Sequence, residues 1–208
     1  MRIQTTDRPV DSTTRAGGHS SGRGRIVVAL ALGLLLTLIL AGRNGVARGS
    51  ETRVDPVQRG HYLVTIAGCN DCHTPFILGE HGPEPDMSRQ LSGHPESLKM
   101  PAPPALGDSP WVWAGAGTNT AFAGPWGISY APNLTPDQNT GLGTWTEDIF
   151  FKAMRTGRHW GTSRPILPPM PWQSYATMTD EDLGAVYAYL RSVPPIVNRV
   201  PDSEPAQP

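Results

Sequence analysis

The apolar residues of this chain change their pattern several times along its length. Residues 1–24 show no hydrophobic periodicity: Ser, Thr and Gly are interleaved with Arg2, Arg8 and Arg15, the pattern of a flexible polar tail. From Arg25 to Gly42 the pattern reverses into an unbroken apolar run, IVVALALGLLLTLILAG from Ile26 onward. As a helix, the run from Ile26 to Gly42 would rise about 25 Å, close to the hydrocarbon thickness of a bilayer. No face of it is polar, which argues against a soluble amphipathic helix. Residues 25–42 therefore read either as a retained transmembrane anchor with a cytoplasmic N-terminus or as a signal segment cleaved near Gly45-Val46-Ala47. The preceding arginines, the long polar lead and the weak cleavage site favour the anchor. Either reading exports the remainder of the chain.

A polar linker, 43–54, leads into helical spacing. Asp55-Pro56 has the form of an N-cap and first-turn proline, and Val57, Gly60, Leu63, Val64 and Ala67 recur at three- and four-residue intervals up to a stop at Gly68. From Thr74 to Pro132 periodicity is lost in a stretch rich in Pro, Gly and Trp. Its aromatics Trp111, Trp113, Phe122 and Trp126 argue for order, and the stretch leaves room for a short two-stranded hairpin, with His81 and His94 as exposed loop histidines. A second helix is expected from Thr144, capped through Glu147, with Ile149, Phe150, Ala153 and Met154 as its stripe and Gly157 as its stop. A third is expected from Thr179 with Asp182 as capping partner, lined by Leu183, Val186, Tyr187 and Leu190 and ended by Pro194-Pro195. Residues 200–208 read as a disordered tail.

Composition sharpens this picture. Twenty-three glycines and 22 prolines, about a fifth of the 208 residues, imply few helices and long ordered loops. Such a helical set has a thin apolar core unless a buried prosthetic group completes it. The formal net charge of −1 leaves no basic surplus for phosphates, so no nucleic-acid partner is expected.

The chemistry sits in Cys69-Asn70-Asp71-Cys72-His73. Two cysteines separated by two residues and followed at once by histidine have the spacing of c-type haem attachment, with Cys69 and Cys72 forming thioethers and His73 beneath the iron. A zinc site would need two more ligands at matching spacing, and the chain has only these two cysteines. A thiol–disulfide pair would sit in a β-α-β pattern, which is missing. One motif means one haem. The sixth iron position decides between electron transfer and small-molecule chemistry. Five methionines follow the linker: Met87, Met100, Met154, Met170 and Met178. Met154 and Met178 suit packing. Met170 lies among Pro168, Pro169 and Pro171, which stiffen the backbone and remove donors, so it is the preferred distal ligand, with Met100 next. Trp126 and Arg158 are candidates for the surroundings of the haem. Arg158 belongs to a cluster with Arg155, His159 and Trp160 that suits the propionates, although the arginines equally suit the C-terminal end of a helix, where the macrodipole favours positive charge.

The segments RGHYLVTIAGCNDCHTP, GPWGISYAPNLTPDQNTGLGTWTEDIF, MRTGRH and LPPMPWQSYATMTDEDLGAVYAYLRSVPP resemble a bacterial class I cytochrome c domain. More narrowly, they resemble the large-loop domains found alone or as cytochrome subunits of membrane-associated dehydrogenases. The resemblance covers about Arg53 to Pro195, within a domain placed at 55–199. It implies an all-α fold around one covalent haem c, thioethers at Cys69 and Cys72, His73 as proximal and Met170 as distal ligand, and a crossing of the first and last helices at Gly60 and Tyr187. Many relatives carry two or three haems, and this chain departs from them with one.

The function implied is single-electron transfer by an exported or membrane-anchored cytochrome, facing the periplasm, between a dehydrogenase or quinol-oxidising complex and a downstream acceptor. A haem enzyme (peroxidase or small-molecule oxidoreductase) or a haem-based sensor would instead need an open sixth position.

Overall fold

The structure, a computed structural model, describes residues 54–206. The tail 1–24, the apolar run 25–42 and nearly all of the linker lie outside the described residues. No helix among those described is long and apolar enough to cross a membrane.

Helix α1, Pro56–Ile66, begins as its sequence dictates: the Asp55 carboxylate accepts from the Val57 N–H, and Pro56 fills the first turn, where no N–H is needed. Its apolar stripe buries Gly60, Leu63 and Val64. Gly68, at φ 67°, then turns the chain into the short helix α2, Cys69–His73. Helix α3, Glu147–Thr156, starts two residues later than its pattern suggested. Thr146, not Thr144, caps it by accepting from the Ile149 N–H, and Trp145 is buried just before the cap. Helix α3 ends at Gly157, whose φ of 64° no β-branched residue would tolerate and against which the Trp172 indole packs. A single turn, α4, spans Trp172–Tyr175. Helix α5, Asp180–Ser192, is capped by the Thr179 hydroxyl and buries Leu183, Ala185, Val186, Tyr189 and Leu190.

The main packing is α1 across α5. Gly60 makes it possible, because any β-carbon there would collide with the Ala185 carbonyl and the Tyr189 β-carbon. The partners at the crossing are thus Ala185 and Tyr189. Tyr187, expected there, points elsewhere: it stacks on Phe150 and donates its hydroxyl to the Trp145 carbonyl. Arg59 and Asp182 bridge the same helices at 2.8 Å, so Asp182 serves the crossing with its side chain.

The all-α expectation needs correction in the long loop. Residues 76–85 form an antiparallel hairpin, β1 (Phe76–Gly79) with β2 (Gly82–Pro85). Farther on, β3 (Ala114–Gly115), β4 (Ala121–Gly124) and β5 (Gly127–Tyr130) form a three-stranded antiparallel sheet. No local periodicity announces strands this short; pairing across the sheet defines them. The C-terminal stretch is also ordered as far as it is described. Glu204 exchanges two backbone hydrogen bonds with Ile128, at 2.8 and 2.9 Å, and accepts from the Tyr130 hydroxyl at 2.6 Å. The expected disordered tail instead extends the sheet at β5.

His94, expected on the surface, is fully buried, whereas His81 is exposed in the β1–β2 turn. The His94 Nε2 donates to the Leu98 carbonyl at 3.0 Å, which leaves Nδ1 to accept from the Thr120 hydroxyl at 2.9 Å. Both ring nitrogens are satisfied in the neutral form, which is why the ring can be interior.

Candidate functional site

Leu183, Val186 and Leu190 of α5, with Phe150 and Ala153 of α3, form one wall of a cavity of about 220 Å³. These are core residues, so the hydrophobic core of the domain is open toward this space. Cys69, Cys72 and His73 line it from α2, and Met170 lines it from the proline-rich loop. The cavity thus brings together four residues that are up to about a hundred positions apart in sequence. Met154 and Met178 also line it; Met100 does not.

His73 is held in one tautomer. Its Nδ1 lies 2.9 Å from the Pro132 carbonyl oxygen and must donate to it, since a carbonyl cannot donate. Burial lowers the pKa of the ring below the ordinary histidine value, partly offset by that carbonyl. The neutral ring therefore keeps an unprotonated Nε2, the form that binds a metal. The cysteines show the opposite of redox-active thiols. Burial, with Asp71 adding to it, pushes the Cys69 thiol up to about 11 and raises that of Cys72 as well. A CxxC redox pair depends on a lowered thiol pKa, so the environment argues against that alternative.

The lining residues fit a haem. Among the described residues they include no carboxylate, and Arg164 is the one permanent charge among them, accompanied by His159 and by Trp145. An apolar space with one cationic, donor-bearing side suits a flat apolar ring carrying two carboxylates. Among the described residues no three His, Cys, Asp or Glu cluster as a bare-ion site, so a metal here would need donors from a macrocycle besides His73 and a sulfur.

Arg158 and Trp126 lie outside this lining. Arg158 is exposed and donates to the Ser163 carbonyl at 2.9 Å, and Arg155 pairs with Asp180. The Trp126 indole donates to the Ser129 hydroxyl at 3.3 Å. Of the cluster after α3, only His159 lines the cavity; Trp160 stacks outside it on Trp145, 5.2 Å between ring centroids. Arg164 is a cavity residue that sequence reasoning missed; it shares the loop before Met170 with Arg158, so the sequence alone does not distinguish the two.

The cytochrome c family model matches residues 57–194, which include every element that builds the cavity except the C-terminal stretch. The chain belongs to the cytochrome c family. Membership implies a covalently bound haem c, and Cys69-Asn70-Asp71-Cys72-His73 lies within the matched span. Among relatives of this cytochrome is the fructose dehydrogenase cytochrome subunit of Gluconobacter japonicus, 29% identical over 167 residues, spanning 77% of this chain and 27% of the relative. The gluconate 2-dehydrogenase cytochrome c subunit of Pantoea cypripedii is 30% identical over 172 residues, 82% of this chain and 31% of the relative. The cytochrome c subunit of alcohol dehydrogenase (quinone) from Gluconobacter oxydans is 28% identical over 179 residues, 84% and 29% of the two chains. This cytochrome therefore spans roughly 30% of the length of these relatives.

Proposed function

We propose that this cytochrome is a single-haem electron carrier, exported or held at a membrane by residues 25–42, that passes electrons between a dehydrogenase or quinol-oxidising donor and a downstream acceptor. One observation carries the reading: a nitrogen ligand fixed in its metal-binding tautomer and a proline-framed thioether line the same apolar cavity as Cys69 and Cys72. The relatives' names, cytochrome subunits of three dehydrogenases, support a dehydrogenase as donor.

When bound, the haem supplies one-electron chemistry at its iron. The chain's own residues do the rest. Cys69 and Cys72 would hold the group covalently, so it would stay in place whatever the iron's oxidation state. His73 offers Nε2 to the iron, and the Pro132 carbonyl keeps the ring from rotating and raises its basicity. Met170 offers a neutral, soft sulfur, which favours ferrous iron and raises the potential. Arg164, His159 and Trp145 are the lining residues that would hold the propionates. Leu183, Val186, Leu190 and Phe150 exclude water, which reduces reorganisation when charge changes.

The test is spectroscopic. Visible spectra of the full chain, oxidised and reduced, with and without carbon monoxide, should show the weak long-wavelength sulfur-to-iron band in the ferric form and little binding of carbon monoxide to the ferrous form. Rapid carbon monoxide binding by the intact protein would overturn the carrier reading in favour of an enzyme or sensor with an open sixth position.

A further inference from the structure

We infer that Ser129 is a positioning residue for Met170: its hydroxyl, oriented by the Trp126 indole, holds the Pro168 carbonyl and so fixes the loop that presents the sulfur. This rests on the reading of Met170 as distal ligand.

The loop has an unusual deficit. Pro168, Pro169 and Pro171 have no backbone N–H, so around Met170 the chain has almost no donors with which to fasten itself. Its attachments must come from donors elsewhere that reach its carbonyls. Upstream, the Ile166 N–H is already used on the Gly157 carbonyl at 2.8 Å. Downstream, the Met170 carbonyl accepts from the Trp172 N–H at 2.9 Å, and the Tyr175 hydroxyl ties α4 to the Ala67 carbonyl at 2.7 Å, beside the haem-attachment motif. Between these two anchors, Pro168 is held by one side chain, Ser129, whose Oγ lies 2.6 Å from its carbonyl oxygen.

The geometry says where the single hydroxyl proton goes. Ser129 Oγ also lies 3.4 Å from the Phe122 carbonyl, but the shorter contact to Pro168 is the stronger hydrogen bond and takes the proton. The Trp126 Nε1–H, 3.3 Å from Oγ, can only donate, so it occupies an oxygen lone pair and leaves the hydroxyl free to point at Pro168. Ser129 is 7% exposed, so water does not replace the contact readily. The donor chain therefore runs from the Trp126 indole through the Ser129 hydroxyl to the Pro168 carbonyl, two residues before Met170. Ser129 lies on β5, whose continuation supplies the Pro132 carbonyl that orients His73. One segment, 129–132, thus sets both iron ligands, one through a hydroxyl and the other through a carbonyl.

The experiment compares Ser129→Ala, Ser129→Thr and Trp126→Phe with wild type in the full haem-loaded chain, using imidazole as the probe that competes with the thioether for ferric iron. Ser129→Ala should bind imidazole about tenfold more tightly, the loss of one buried hydrogen bond, and should lose the sulfur-to-iron band at lower pH on alkaline titration. Ser129→Thr, which keeps the hydroxyl, should restore both. Trp126→Phe should shift both in the direction of Ser129→Ala, and it carries the test alone if Ser129→Ala fails to take up haem. A purely structural role would lower the unfolding midpoint and leave imidazole affinity within twofold of wild type, and that result overturns the inference. If Met170→Ala leaves the sulfur-to-iron band unchanged, the ligand reading itself fails and the inference falls with it. If Met170→Ala abolishes the band while Ser129→Ala keeps wild-type imidazole affinity, only the positioning role is lost.

Discussion

Gly60 in α1 lies so close to the Ala185 carbonyl in α5 that a β-carbon at position 60 would overlap it and press on the Tyr189 β-carbon as well. Two effects oppose each other in Gly60→Ala. Alanine favours a helix interior by about 1 kcal/mol over glycine, whereas overpacking a helix contact against backbone costs about 1–3 kcal/mol or more. The clash should win, since neither colliding group is a flexible side-chain end. Denaturant unfolding of the haem-loaded variant should show a lower midpoint than wild type, and an unchanged or higher midpoint would mean that the helices can separate freely.

Met154, Met170 and Met178 all line the cavity, so the ligand assignment calls for comparison among them. Met170→Ala should abolish the sulfur-to-iron band, lower the midpoint potential and admit carbon monoxide to the ferrous form. Met154→Leu and Met178→Leu, which keep the apolar volume, should retain the band, as should Met100→Ala outside the cavity. Loss of the band in Met178→Leu alone would transfer the assignment to that residue.

Arg164 brings the one permanent charge to the cavity lining. Its loss would leave a propionate less compensated, which favours ferric over ferrous iron. Arg164→Gln should lower the midpoint potential by on the order of 50 mV, about a tenfold change in a one-electron equilibrium. Exposed Arg158, tied to the Ser163 carbonyl, should tolerate the same change with no shift. Redox titration of the two variants side by side decides which arginine faces the haem.

His94 makes acid stability testable. Burial lowers its pKa below the ordinary 6.5, the Leu98 carbonyl partly offsets this, and Arg89 and Lys99 lower it further. Below about 6.5 the unfolded chain takes up a proton that the folded ring refuses, so stability falls with decreasing pH until the lowered folded value is passed. His94→Gln, which can still donate to Leu98, should flatten the dependence of the unfolding midpoint between roughly pH 7 and 5. His159, also lowered chiefly by burial, stays in both proteins, so the difference isolates His94. Equal slopes would remove the assignment.

Local chemistry by itself determined the parts of this protein that depend on neighbours in sequence. Asp55-Pro56 fixes a helix start, Thr179 another, and Gly157 a stop, because caps and turns are settled within about four residues. The CxxCH spacing predicts the attachment chemistry for the same reason. Tertiary structure decided whatever depends on distant chain segments. A glycine at position 60 announces a close approach but not that Ala185, rather than Tyr187, is the partner. Short strands such as Ala114–Gly115 exist only because another segment pairs with them. His94 reads as a loop histidine until Thr120 and Leu98 satisfy both nitrogens and let it be buried. The C-terminal stretch has no pattern of its own and is ordered by the free edge at Ile128. Arg164 and Arg158 share one loop and are both exposed, and only the path of the backbone through Pro165, pairing back on Arg158, places Arg164 along the cavity and leaves Arg158 outside its lining.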